Sequence, residues 1–295
     1  MTPHPGLAKC EWMVFHGAVN EALPALDELD DLTGRSAVYA VWLRAVALGA
    51  CGRYGEALDR TETVTIGTPE YSMTRSLKAS LLRQLGCHDL ALRDDREAMA
   101  SAATPGAAIE ALTGLAADAV GMQDPLTAAT MLAQGRSLLA RVSADPVSAP
   151  TWWRHRVRVE WVACEVALLE TRYEDALAHA RAALETAEAA NAPRHVAKSL
   201  LFLAVANIET GRRDAAVPLL KRCLVLSTAM GFLAVAWPAH AVLAALLKDT
   251  DERSAHTHFV AASAIIDTLR EGLTGQLANR WDARADIVAL HREAS

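Results

Sequence analysis

A seven-residue pattern recurs along this chain and limits what it can fold into. The pattern is Gly, any residue, Tyr, two residues, Ala, aliphatic, as in GRYGEAL at Gly52. It returns as GAVNEAL at Gly17, GCHDLAL at Gly86 and GMQDPL at Gly121. After an insertion it continues as TRYEDAL at Thr171, GRRDAAV at Gly211 and a degenerate TDERSAH at Thr250. Within each run the spacing is 34 to 40 residues, the period of stacked helical hairpins. Composition agrees. The chain is 52% hydrophobic but only 5% aromatic, and the apolar fraction is rich in Ala and Leu, which enter helices at little cost.

The pattern has a physical reading. Gly accepts the left-handed backbone past a helix C-terminus, so it ends the first helix of each unit. The Ala five residues on opens the packing face of the second helix, where a larger side chain would push two helices apart. Small residues should then recur opposite it. Twelve residues before this Ala stand Cys10, Ala45, Ala79, Gly114, Cys164 and Ala204, with Leu243 as the exception. Seven residues after it stand Ala98, Ala133, Ala183, Cys223 and Ala262, with Leu29 and Val64 larger. Unit four departs, with Leu126 in place of the Ala. First helices are predicted over 7–16, 36–50, 69–84, 105–120, 152–170, 194–209 and 232–247. Second helices are predicted over 19–29, 54–63, 88–100, 125–141, 173–190, 214–229 and 252–270. An amphipathic stretch over 276–292 should cap the stack with a polar outer face.

Gly52, Tyr54, Ala57, Pro69 and, in the preceding helix, Ala45 resemble the signature of the tetratricopeptide repeat. The resemblance spans 7–262, and the 39- and 40-residue spacing of the last units is similar to longer variants in bacterial transcriptional regulators. It implies an all-α, right-handed superhelical solenoid of about seven helical hairpins plus a C-terminal capping helix. Units one to four would occupy 1–142, a linker 143–150, units five to seven 151–273 and the cap 274–295, as one continuous solenoid.

Other classes are disfavoured. With 29 basic and 35 acidic residues the net charge is −6, the wrong sign for wrapping phosphates, so no nucleic-acid partner is expected. The apolar stretch 231–247 is broken by Pro238 and His240, so no membrane span is expected. The N-terminal MTPHPGLAKCEW lacks a basic region followed by an apolar one. Five scattered cysteines without a CxxC pair suit neither a disulfide framework nor zinc, and together these features suggest a cytoplasmic protein. Cys10, Cys164 and Cys223 read as compact packers, while Cys51 and Cys87 fall at exposed turns. Motifs for hydrolysis, phosphate cradling and dinucleotide binding are absent, so no enzyme, metal or cofactor is expected. His256 and His258 are two apart and do not share a helical face. The pairs Asp30–Asp31 and Asp94–Asp95 read as solvated face or cap residues.

The resemblance also implies that first helices line a concave surface and that certain columns face the partner. One column, fifteen residues before the template Ala, reads Leu7, Trp42, Ser76, Ala111, Trp161, Leu201 and His240. Another, three residues earlier, reads His4, Tyr39, Met73, Ala108, Arg158, Lys198 and Trp237. Tyr39, Trp42, Arg158, Trp161, Lys198, Trp237 and His240 are therefore the candidate binding residues, since Trp and Arg dominate recognition hot spots. The run TWWRHRVRVEW at Thr151 is locally basic, and a solvated helix face with Trp packed at the joint between blocks accounts for it. The function expected is a non-enzymatic scaffold binding a peptide, helix or protein partner in its groove, with a homodimer left open. The alternative is a sensor that binds a small molecule or signalling peptide there and regulates a partner protein.

Overall fold

The computed structural model describes residues 4–29 and 31–294. Among these, sixteen α-helices and no strand occur. Seven antiparallel hairpins follow in chain order. They are α1 (Pro5–Phe15) with α2 (Val19–Asp27), α3 (Gly34–Ala50) with α4 (Tyr54–Glu62), and α5 (Tyr71–Gln84) with α6 (His88–Ala100). Next come α7 (Pro105–Gly121) with α8 (Pro125–Val142), and α9 (Trp153–Leu169) with α10 (Tyr173–Ala189). The last pairs are α11 (Pro193–Glu209) with α12 (Arg213–Met230) and α13 (Leu233–Leu247) with α14 (Glu252–Arg270). A short 3-10 helix, Ala149–Trp152, lies within the insertion. Pro69 stands in the turn before α5 rather than inside it.

The turn chemistry matches the repeat. Gly17, Gly52, Gly86 and Gly211 have positive φ, and the second helix begins two residues later in each case. Thr171 takes the same turn at φ 58° in unit five, but unit four departs in register. There Gln123, not Gly121, takes the left-handed turn at φ 60°. Asp124 then caps α8 by accepting the Thr127 N–H at 3.0 Å, with Pro125 in its first turn. The register therefore shifts by two residues. Ala128, fully buried, occupies the packing position expected for Leu126, which is 79% exposed. Ala116 and Gly135 correspondingly replace Gly114 and Ala133 in the small-residue columns.

The predicted single cap is two helices, α15 (Gly275–Asp282) and α16 (Ala285–Ala294). Their apolar face is not left at the end of the stack. Trp281, Ile287 and Leu290 join one core cluster with Tyr54, Leu81 and Leu85 from the second and third units and with Phe259 and Leu269 from the last. Arg284 donates to the Gln84 carbonyl at 2.8 Å, and Arg280 forms a two-point ion pair with Asp89 at 2.6 and 3.0 Å. Gly55 of α4 lies so close to the Gly272 backbone that a methyl group would overlap it. Val19 and Ala50 share a second cluster with Phe232 and Leu243. The solenoid thus closes on itself, with its first units packed against its last.

Two further expectations change. Asp94 and Asp95 are buried, because α5 supplies them with cations: Asp94 pairs with Arg75 at 3.0 Å, and Asp95 pairs with Arg83. Arg83 also bonds Asp118 of α7 at 2.9 Å. Asp30 lies outside the described residues. Cys87 is buried and Cys51 half-buried, while Cys10, Cys164 and Cys223 pack as expected. Among the described residues no helix is long and apolar enough to cross a membrane.

Candidate functional site

Closure turns the concave surface into an interior. First helices of all seven units project side chains into a cavity of about 250 Å³ between them. Phe15 comes from α1, Trp42 and Val46 from α3, Met73, Ser76 and Gln84 from α5, and Glu110 from α7. The opposite wall is Arg154, Arg158, Trp161 and Glu165 of α9 with Arg194, His195, Lys198 and Phe202 of α11. Pro238 of α13 adds to the lining. A second cavity of about 390 Å³ shares Ser80, Gln84, Arg158, Trp161, Glu165 and Lys198 with the first and continues toward Arg83 and Thr113.

The aromatic side chains are fixed by hydrogen bonds and stacking. Trp42 donates from Nε1 to the Met73 carbonyl at 3.3 Å, and Trp161 donates to Ser199 Oγ at 2.8 Å. Trp161 stacks on His195 at 5.4 Å and on Phe202 at 6.1 Å between ring centres. Such stacking holds flat surfaces in place with little rotamer freedom.

The charges are distributed unevenly. Glu110 Oε1 accepts a hydrogen bond from Arg154 at 2.7 Å, and its Oε2 forms an ion pair with Arg158 Nε at 2.8 Å. Burial alone would raise the Glu110 carboxyl, yet the two guanidinium groups hold it at about 2. Burial, and then Glu110, Arg154 and Arg158 together, leave His155 at about 4, neutral at pH 7. Lys198 has its Nζ 4.6 Å from the Trp161 ring centre and 5.6 Å from that of Phe202. Burial, with Arg158 and Arg194 nearby and only Glu165 opposing them, draws its amine down to about 8. Burial likewise raises Glu165 and lowers His195.

Of the seven candidate residues, Trp42, Arg158, Trp161 and Lys198 line this interior together. Tyr39 stacks behind Trp42 at 5.2 Å and is outside the lining. Trp237 serves the closure, with the Arg284 guanidinium 5.6 Å from its ring centre. His240 faces α14, where its Nδ1 lies 2.8 Å from Nδ1 of His258. Burial and that neighbour depress its pKa to about 4. The basic run is not a solvated face, since Arg154 and Arg158 turn inward onto Glu110. Glu110 was hidden by the two-residue slip of unit four, because in the corrected register it stands in the same column as Met73, Arg158 and Lys198. Arg154 and Arg194 lie one helical turn before Arg158 and Lys198, so extending that column by four residues would have found both. Among the described residues no group of three or more His, Cys, Asp or Glu is arranged to hold a metal.

No protein-family model matches the sequence, and no curated protein does either. Solved structures do resemble the fold. A Rap protein complexed with Competence and Sporulation Factor superposes with a TM-score of 0.64 at 14% identity, covering 97% of this chain and 78% of the other. The APC/C hetero-tetramer Cut9–Hcn1 gives 0.58 at 16% identity, covering 98% and 48%. A Signal Transduction ATPase with Numerous Domains protein with a tetratricopeptide repeat sensor, from Pyrococcus horikoshii, gives 0.56 at 14%, covering 94% and 43%. The chain thus spans less than half of the latter two. At these identities the likeness concerns the fold, which is that of a tetratricopeptide-type α-solenoid.

Proposed function

We propose that this protein is a non-enzymatic, ligand-regulated interaction module: a ligand held inside the closed solenoid controls its engagement with a protein or peptide partner. The interior cavity carries this reading, since it gathers stacked aromatic rings and cations from units far apart in sequence. Concave sites with an apolar lining and a few placed polar groups are where small ligands bind. A helix or globular partner lying along the interior would have to separate the first units from the last. A ligand that fits the cavity needs no such separation, which favours the sensor over the open-groove scaffold. Among the similar structures, one is complexed with Competence and Sporulation Factor and another is described as containing a repeat sensor.

The closure supplies a route for regulation. Trp161 and Lys198 line the cavity, and Ala234 and Pro238 line it from α13, whose Trp237 meets Arg284 of the closing segment. A ligand that binds only the closed form stabilises it by mass action. Native mass spectrometry of protein purified without denaturation tests the reading, combined with hydrogen exchange over residues 269–290. A retained ligand whose removal speeds exchange there is expected. Exchange that is indifferent to ligand, or a partner bound stoichiometrically while no ligand occupies the interior, would overturn the proposal.

A further inference from the structure

The cavity inverts the charge of the molecule that contains it. The chain carries a net −6, yet four cations, Arg154, Arg158, Arg194 and Lys198, face the 250 Å³ cavity against two carboxylates, Glu110 and Glu165. Glu110 is occupied by Arg154 and Arg158. Among the described residues no carboxylate oxygen lies within 4.0 Å of Arg194 or Lys198, and the Arg194 Nε is buried without a hydrogen-bond partner. The Lys198 ammonium has aromatic faces beside it instead. Half-buried cations with no ion-pair partner, balanced only at longer range by Glu165, are costly, and such local breaches of folding rules concentrate at functional sites.

The placement of these two side chains defines what would satisfy them. They are four apart on α11 and so share one helical face. The guanidinium offers paired donors matched to a carboxylate or phosphate, and the ammonium adds a second point of charge. Around them the walls are flat and apolar, from Trp161, Phe202, Trp42 and Phe15. The volume lies near the lower end of small-molecule sites, which run from about 300 Å³ upward.

We infer that Arg194 and Lys198 form an anion site, and that the ligand of this cavity is a small organic anion whose carboxylate or phosphate meets the α11 pair while a flat apolar body lies against Trp161 and Phe202. This rests on the interior being the ligand site, and it adds the chemical class. An inorganic anion alone would leave the aromatic walls unused, and a neutral or cationic ligand would leave the two cations unpaired.

Calorimetric titration with four compounds of one apolar body tests it: 2-naphthoate, 2-naphthyl phosphate, 2-naphthalenemethanol and 2-naphthylmethylamine. The anions should bind at least tenfold more tightly than the alcohol, and the amine most weakly. Whichever anion is tighter identifies the head group. Arg194→Met and Lys198→Met should each weaken the anions at least tenfold while leaving the alcohol within about threefold, which shows that the cavity is intact. Arg194→Gln and Lys198→Gln repeat the comparison should a Met variant fail to fold. Equal affinity for anion and alcohol, or undiminished anion binding by the variants, would remove the anion assignment alone. Binding by none of the four would remove both the assignment and the reading of the interior as a ligand site.

Discussion

Replacing Lys198 with Met should make the ligand-free protein more stable at pH 7. The amine is drawn from 10.5 down to about 8, first by burial and then by Arg158 and Arg194. At about 1.4 kcal/mol per pKa unit, the charged form is penalised in the folded state by up to about 3 kcal/mol. Because the side chain is half-buried beside a cavity, solvent screening reduces that ceiling. Met also gives up the contact of the ammonium with Trp161, about 0.5–2 kcal/mol, and recovers part of it through its sulfur. A net gain of about 1–2 kcal/mol remains, or roughly 2–4 °C in Tm for each kcal/mol. The sign of the pH dependence follows from the depressed pKa. Below about pH 8 both folded and unfolded chains hold the proton, and the penalty is complete. Between about 8 and 10.5 the folded chain releases it first, so wild-type stability recovers relative to the variant as pH rises. Denaturant unfolding of both proteins without ligand, from pH 7 to 10.5, measures this difference. A variant less stable than wild type at pH 7 by more than about 1 kcal/mol, or a difference that does not change with pH, would refute the reasoning.

Three other outcomes are expected. A methyl group at Gly114 would overlap the Asp95 carboxylate, which is buried against Arg83; Gly114→Ala should therefore lose about 2 kcal/mol or more in urea unfolding despite its gain in helix propensity. Gly55→Ala would collide with the Gly272 backbone, and small-angle scattering should show a larger radius of gyration together with weakened ligand binding, whereas an unchanged radius would mean that closure does not depend on this contact. Ala57 is fully buried and Glu56 exposed, so Ala57→Glu should cost about 3 kcal/mol or more and Glu56→Ala stay within about 0.5 kcal/mol; similar small effects from both in chemical melts would break the repeat register.

The hairpins were legible because their determinants are local. A Gly able to turn left-handed and an Ala at the helix contact recur at fixed spacing, and six of seven second helices begin where that spacing places them. Unit four slipped because Asp124 and Pro125 start its helix two residues late, although both are recognisable start signals. Trp42, Arg158, Trp161 and Lys198 were readable as columns, since neighbouring units stack equivalent positions side by side. Closure was not readable, because it accumulates from small rotations between units and is completed by contacts such as Arg284 with Gln84, 200 residues apart. Closure is also why Trp237 went to the joint instead of the interior. The inward turn of Arg154 was hidden for a related reason, because its partner Glu110 belongs to another unit. The burial of Asp95 was hidden differently, because its cation Arg83 comes from the other helix of its own hairpin.

A co-crystal structure with 6-bromo-2-naphthoate, its bromine located by anomalous scattering, tests most directly whether the interior of the solenoid holds the ligand. The expected result is a bromine inside the cavity between Trp161 and Trp42, with the carboxylate within hydrogen-bonding distance of Arg194 and Lys198. A bromine confined to the outer surface, with the interior cavity empty at saturating ligand, would contradict it.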